Sequence, residues 1–126
     1  MLTPGFIEMH SITHVLNCAF DEAAPAWIKQ KLGYGCLYME DAPDVVVEDY
    51  LRLAEVVLDA WLRDPKCKTV FIHCQAGVNR SASIAAGYVA RKMRIPIREI
   101  MEKMLRQRPC VFHNASFVHQ LLKLQT

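Results

Sequence analysis

A cysteine and an arginine, Cys74 and Arg80, set the chemistry open to this chain. Gln75, Ala76, Gly77, Val78 and Asn79 separate them, and Ser81 follows. The apolar, β-branched run from Thr69 to Ile72 predicts a buried strand that reaches the cysteine through His73. From Ala82 the pattern turns helical: Ile84, Ala85, Tyr88, Val89 and Met93 fall at helix spacing, and Ser81 or Ser83 is the expected cap. A strand, a tight loop and a helix N-terminus together bind oxyanions through backbone N–H groups. The same amides and helix dipole favour a thiolate, which is the attacking form of cysteine. Five residues curled into a cradle bring the Arg80 guanidinium round to face the sulfur. Arginine then offers two parallel donors to two oxygens of a tetrahedral anion, which lysine cannot do. The spacing asks for a phosphate ester: Cys74 attacks phosphorus, while Arg80 and the amides from Gln75 to Arg80 hold the equatorial oxygens.

The run His73-Cys74-x5-Arg80-Ser81 is the signature of the cysteine-dependent protein tyrosine phosphatases. Ala76-Gly77-Val78-Asn79-Arg80-Ser81 most resembles the small dual-specificity phosphatases, including compact ones carried by large DNA viruses. Two outlying segments agree. Ile12-Thr13-His14-Val15-Leu16-Asn17 resembles the family's early core strand, and Arg108-Pro109 with Asn114 to Leu121 resembles its closing helix. The resemblance implies a protein phosphatase acting on phosphotyrosine and phosphoserine or phosphothreonine through a cysteinyl-phosphate. The chain looks too short for the deep phosphotyrosine-selecting loop of the tyrosine-only relatives.

A leaving alkoxide or phenoxide needs a proton, so a general acid is required. The acidic loop Glu40-Asp41-Ala42-Pro43-Asp44 supplies candidates. Family register, counted back from Tyr50-Leu51, puts the acid at Asp41, with Asp44 the main rival. Ser81 is expected to hydrogen-bond the sulfur as it leaves, and His73 to bond a backbone carbonyl and order the loop. The resemblance has Asn17 brace the phosphate loop and Asn114 reach back to it; Asn114 is also the expected cap of the last helix. Gly77 is expected to permit a backbone angle or a close approach. No metal or cofactor is called for: His10, His14, His113 and His119 show no ligand spacing.

These residues need a frame. Strands are expected at Ile12–Asn17, Tyr34–Met39 and Thr69–Ile72. Helices are expected at Pro4–Met9, Ala23–Lys31 (Asp21 near its cap, Pro25 in its first turn), Val47–Arg63, Ala82–Met93, Ile97–Gln107 and Ala115–Leu124. Alternating strands and helices predict an α/β fold with a mostly parallel sheet and the site at the strands' carboxyl ends. With the resemblance this becomes a three-layer α/β/α arrangement of about four strands. The strand that the family usually places before Met1–Ser11 is absent or replaced here, so a sheet edge is expected to be open, and a homodimer is one way to close it.

With 126 residues, 52% of them hydrophobic, the chain predicts one catalytic domain over residues 1–126 with a real core. Cys18, Cys36, Cys67, Cys74 and Cys110 are odd in number and form no CxxC pair. That points to a reducing compartment, cytoplasmic, or nucleus or virion if viral, and not to a disulfide framework. No run is long enough to span a bilayer, and no signal peptide is visible. Residues 1–63 hold 4 Lys+Arg and 10 Asp+Glu, a net of −6, and residues 64–126 hold 11 and 3, a net of +8. The basic half is either a set of solvated helix faces or a rim that draws phosphorylated substrates. Without aromatic–basic interleaving, nucleic acid is an unlikely partner. Readings that remain open are a phosphoinositide or RNA 5′-phosphatase of the same superfamily and a weakly active phosphoprotein-binding module.

Overall fold

The β-branched runs form three parallel strands: β1 (Ile12–Asn17), β2 (Gly33–Cys36) and β3 (Thr69–His73), in the order β2-β1-β3. The computed structural model describes residues 2–21, 25–75 and 79–124. Asn17 pairs with Cys36 on one side and with His73 on the other, so all three strands end at one edge of the sheet. Around them lie α1 (Pro4–Met9), α2 (Ala26–Lys31), α3 (Val47–Arg63), α4 (Arg80–Met93), α5 (Ile97–Gln107) and α6 (Ala115–Lys123).

Alternation along the strands feeds two cores. Ile12 and Val15 turn to one face, where Ile28 of α2 and Phe6 of α1 cover them with Phe71. Leu16 turns to the other, among Leu51, Ala54 and Leu58 of α3, Ile84 and Ala86 of α4, and Phe117 and Leu121 of α6. Each fully buried Leu or Phe contributes roughly 1.5–3 kcal/mol of transfer free energy. Helices α3 and α4 approach closely because residue 87 is glycine: a Cβ there would stand 2.9 Å from the Leu51 side chain. Across the same contact Arg91 pairs with Glu48 and Glu55, and Lys92 with Asp59.

The differences from expectation are local and have physical causes. Among the described residues the sheet has three strands, not about four; the sequence itself marks only three strand segments. Strand β2 begins at Gly33 because that residue is part of the pairing: a Cβ there would lie 2.3 Å from the His14 ring. It ends at Cys36, before Met39, since Tyr38 turns to a left-handed φ of 54°. Backbone bonds from Leu37 to Asn17 and from Met39 to Cys18 nevertheless continue the contact with β1. Helix α2 starts at Ala26: Pro25 is extended and stands outside it, Asp21 pairs with Lys29 at 2.5 Å instead of capping, and Ala23 lies outside the described residues. Neither serine caps α4. Its N-cap is Asn79, and Arg80 and Ser81 are its first helical residues. Helix α6 ends one residue early, at Lys123.

Candidate active site

Strand β3 delivers Cys74 to the sheet's carboxyl edge, and the first turn of α4 comes back to meet it. The Cys74 sulfur is buried, 3.2 Å from the Ser81 hydroxyl, and accepts from the Ser81 backbone N–H at 3.4 Å. A helix N-terminus thus points at the sulfur, where its partial positive charge favours an anion. The buried Arg80 guanidinium is tied at one end, Nη1 donating to the Met39 carbonyl at 2.9 Å. Its Nε is buried with no partner among the described residues. An unpaired buried donor costs about 1–3 kcal/mol. Both groups act on the charge of Cys18. Burial pushes its thiol far up, Cys74 adds to the rise, and Arg80 opposes it. Sulfur and guanidinium therefore share one neighbourhood.

His73 stacks on Phe71, ring centroids 5.7 Å apart. Burial lowers its pKa, and a hydrogen bond to the Cys74 backbone works the other way, tethering the ring where the loop begins. Gln75 is exposed on the loop; Ala76, Gly77 and Val78, with the expectation for Gly77's backbone, lie outside the described residues.

Asn79 does more than lend an amide to the loop. Its Oδ1 accepts from the backbone N–H groups of His113 (2.6 Å) and Asn114 (3.0 Å), and its Nδ2 donates to Asp41 Oδ2 at 2.8 Å. Asn114 caps α6 by accepting from the Phe117 N–H at 3.3 Å, and its Nδ2 donates to Asp41 Oδ1 at 2.9 Å. Asp41 is thus held by two carboxamides, one of them on the loop. Among the described residues no hydrogen bond joins Asp44 to that loop. Asn17 is buried, but its bonds run to the segment after β1: Nδ2 donates to the Phe20 carbonyl and the Tyr34 hydroxyl, and Oδ1 accepts from the Ala19 N–H. Among the described residues it braces the end of β1 and not the phosphate loop; the link to the loop is backbone, from the Cys18 N–H to the His73 carbonyl at 2.7 Å.

Two residues given no role by the sequence hold the acid loop. Val46, the N-cap of α3, supplies no side-chain cap. Gln120 of α6 replaces it: Oε1 accepts from the Val47 N–H at 2.7 Å and Nε2 donates to the Val45 carbonyl at 2.8 Å. Ser116 donates to the Pro43 carbonyl at 2.7 Å. Their i,i+4 spacing on one helix face is the only signal that could have found them.

Asn79→Ala removes an acceptor shared by two backbone donors and one of the two tethers of Asp41. We expect a stability loss of about 1–3 kcal/mol, read by urea melts, and a turnover drop of roughly 10- to 10²-fold from misplacement of the acid.

A cysteine after a parallel strand, with an arginine and a serine in the first turn of the helix that follows, marks the candidate site of a thiol-based enzyme on an α/β scaffold. The whole chain, residues 1–126, matches the model of the dual specificity phosphatase catalytic domain, and the protein belongs to that family. It is 31% identical over 120 residues to dual specificity protein phosphatase 4 of Homo sapiens, covering 95% of this chain and 29% of that protein. It is 29% identical over 121 residues to dual specificity protein phosphatase 22-B of Danio rerio, covering 95% of this chain and 63% of the relative. The chain therefore spans less than a third of the first of these. The structure of the Cydia pomonella PTP-2 phosphatase superposes with a TM-score of 0.75 at 27% identity, over 94% of this chain and 74% of that one.

Proposed function

We propose that this chain is a single catalytic domain that hydrolyses phosphotyrosine and phosphoserine or phosphothreonine esters in proteins through a cysteinyl-phosphate. The observation that carries this is the Cys74 sulfur against the Ser81 hydroxyl at the head of α4, with the buried Arg80 beside Ser81 in the same turn and its Nε without a partner among the described residues. Cys74 attacks phosphorus, and the bond to the leaving oxygen breaks as Asp41 delivers a proton to that oxygen. Asp41, now a base, takes a proton from water, which attacks phosphorus and expels the sulfur; Ser81 donates to that sulfur as it leaves. Arg80 and the loop amides carry the charge on the equatorial oxygens throughout. Both Asp41 oxygens accept from Asn79 and Asn114 at rest, so one of these bonds releases when the proton moves.

The partner is a phosphorylated protein, and five cysteines with a thiol nucleophile fit a reducing, cytoplasmic compartment. Among the described residues no helix is long and apolar enough to cross a membrane. A phosphoinositide or RNA 5′-phosphate is a weaker substrate because the loop from Gln75 to Asn79 carries no lysine. A non-catalytic binding module has no need of a nucleophile and an acid together.

Asp41→Asn is the test of this reading. With a phosphotyrosine peptide the rate is expected to fall about 10²- to 10⁴-fold. With an aryl phosphate whose leaving group needs no proton the loss shrinks sharply. Equal losses on both esters would remove Asp41 from its role. Phosphate release from phosphoinositide or triphosphorylated RNA faster than from any phosphopeptide would replace the substrate class.

A further inference from the structure

The acid loop from Glu40 to Val46 runs between β2 and α3 and belongs to neither. Glu40, Asp41, Pro43, Asp44 and Val46 are exposed, so polar bonds must fix its path. Ahead of Asp41, Arg80 holds the Met39 carbonyl. Beyond it, among the described residues, three side-chain bonds hold the backbone from Pro43 to Val47, and all three come from α6. Gln120 accepts from the Val47 N–H and donates to the Val45 carbonyl, and Ser116 donates to the Pro43 carbonyl. Gln120 Nε2 also donates to the Ser116 hydroxyl oxygen at 3.1 Å, so the two side chains orient each other. Asn114, the cap of the same helix, holds Asp41 itself. Helix α6 is a firm base for these bonds, because its Phe117 and Leu121 are wholly buried in the core.

We propose that Gln120 and Ser116 are positioning residues for proton transfer by Asp41: from α6 they clamp the acid loop in its working place before a substrate arrives. The inference rests on the reading of Asp41 as the general acid. One of the two carboxamide bonds to Asp41 must release as its proton moves. At that moment the backbone aims the carboxyl group, and α6 aims the backbone. A plain helix cap is the weaker account. Leu51, Ala54 and Leu58 seat α3 in the core independently of its first turn. Loss of the Gln120 bonds therefore frees the loop ahead of α3 and leaves the helix in place. A proton donor displaced by about 1 Å loses up to about 10²-fold in rate, so the freed loop is felt in the chemical step.

The test compares two esters in the full chain. Gln120→Leu removes the bonds at nearly constant volume. With a phosphotyrosine peptide it is expected to lower kcat about 10- to 10²-fold with KM almost unchanged. With an aryl phosphate whose leaving group needs no proton it is expected to change little. Ser116→Ala is expected to act in the same direction on a smaller scale. Gln120→Glu keeps an acceptor for the Val47 N–H at a helix N-terminus that favours negative charge, and is expected to recover part of the loss. Added to Asp41→Asn, Gln120→Leu is expected to cost nothing further on the peptide, since residues that act through one group are not additive. From Gln120→Leu, no loss on either ester, equal losses on both, or a loss that multiplies that of Asp41→Asn overturns the proposal and leaves the acid reading standing. Equal losses on both esters from Asp41→Asn itself overturn both. If circular dichroism shows Gln120→Leu unfolded, the ratio of the two esters in Ser116→Ala and Gln120→Glu decides.

Discussion

Cys74→Ser is expected to reduce phosphate release from any phosphopeptide by about 10⁴-fold or more, the scale on which a covalent enzyme loses its nucleophile. The replacement is nearly isosteric and leaves the frame in place. Ser81 still finds an acceptor where the sulfur stood, Arg80 still holds the Met39 carbonyl, and the α4 N-terminus still points at the site. What disappears is an atom able to attack phosphorus without a base beside it. Binding therefore separates from turnover. A phosphopeptide is expected to titrate onto Cys74→Ser by calorimetry with wild-type affinity or better, while no phosphate appears. Rapid acid quench of the wild type should trap phosphate on Cys74 and on no other cysteine. Turnover by the variant at the wild-type rate would exclude the covalent mechanism outright.

Arg80→Lys is expected to cost roughly 10²- to 10³-fold in kcat/KM, the scale of losing a preorganised donor aimed at transition-state charge. The formal charge is kept, so a purely long-range role predicts almost no effect. The structure predicts otherwise, because Arg80 has two tasks at once. One end of the guanidinium satisfies the Met39 carbonyl, and the buried Nε, without a partner among the described residues, is the donor left for the anion in the proposed mechanism. A lysine ammonium is a single point and cannot do both. If it follows the anion, the Met39 carbonyl loses its partner, which costs about 1–3 kcal/mol of stability. If it stays on Met39, binding falls. Measuring urea stability and kcat/KM on the same preparation tells the two apart, and no change in either would show that the fork geometry is idle.

Asp41 shows how far a linear pattern carries. Its place in an acidic loop ahead of an amphipathic helix was legible, and family register set it apart from Asp44. What holds it was not legible. Asn79 lies 38 positions away and Asn114 lies 73 positions away, and only the folded chain brings both carboxamides to one carboxylate. Gln120 and Ser116 act on the same loop from α6. Such contacts leave no periodic trace, since an exposed polar residue on a helix looks the same whether or not it caps a neighbour. Ser81 was ambiguous for the opposite reason. A serine before a helix reads as a cap, but the helix starts one residue earlier, and its hydroxyl turns to the sulfur. Asn17 was placed on the right strand, and among the described residues its side chain bonds the turn that follows and the Tyr34 hydroxyl.

The sequence by itself marked the proposed reaction centre and determined the scaffold class. Cys74 and Arg80 lie six positions apart, and a strand before them with a helix that starts at Arg80 allows few arrangements of so short a segment. The tertiary structure alone decided the setting of the acid, the direction of Asn17 and the span of β2. Those depend on which distant segments pack together: the Tyr38 turn, the Gly33–His14 approach and the seating of α6 on the acid loop are set by close packing between parts of the chain that carry no mark of one another in the order of their residues.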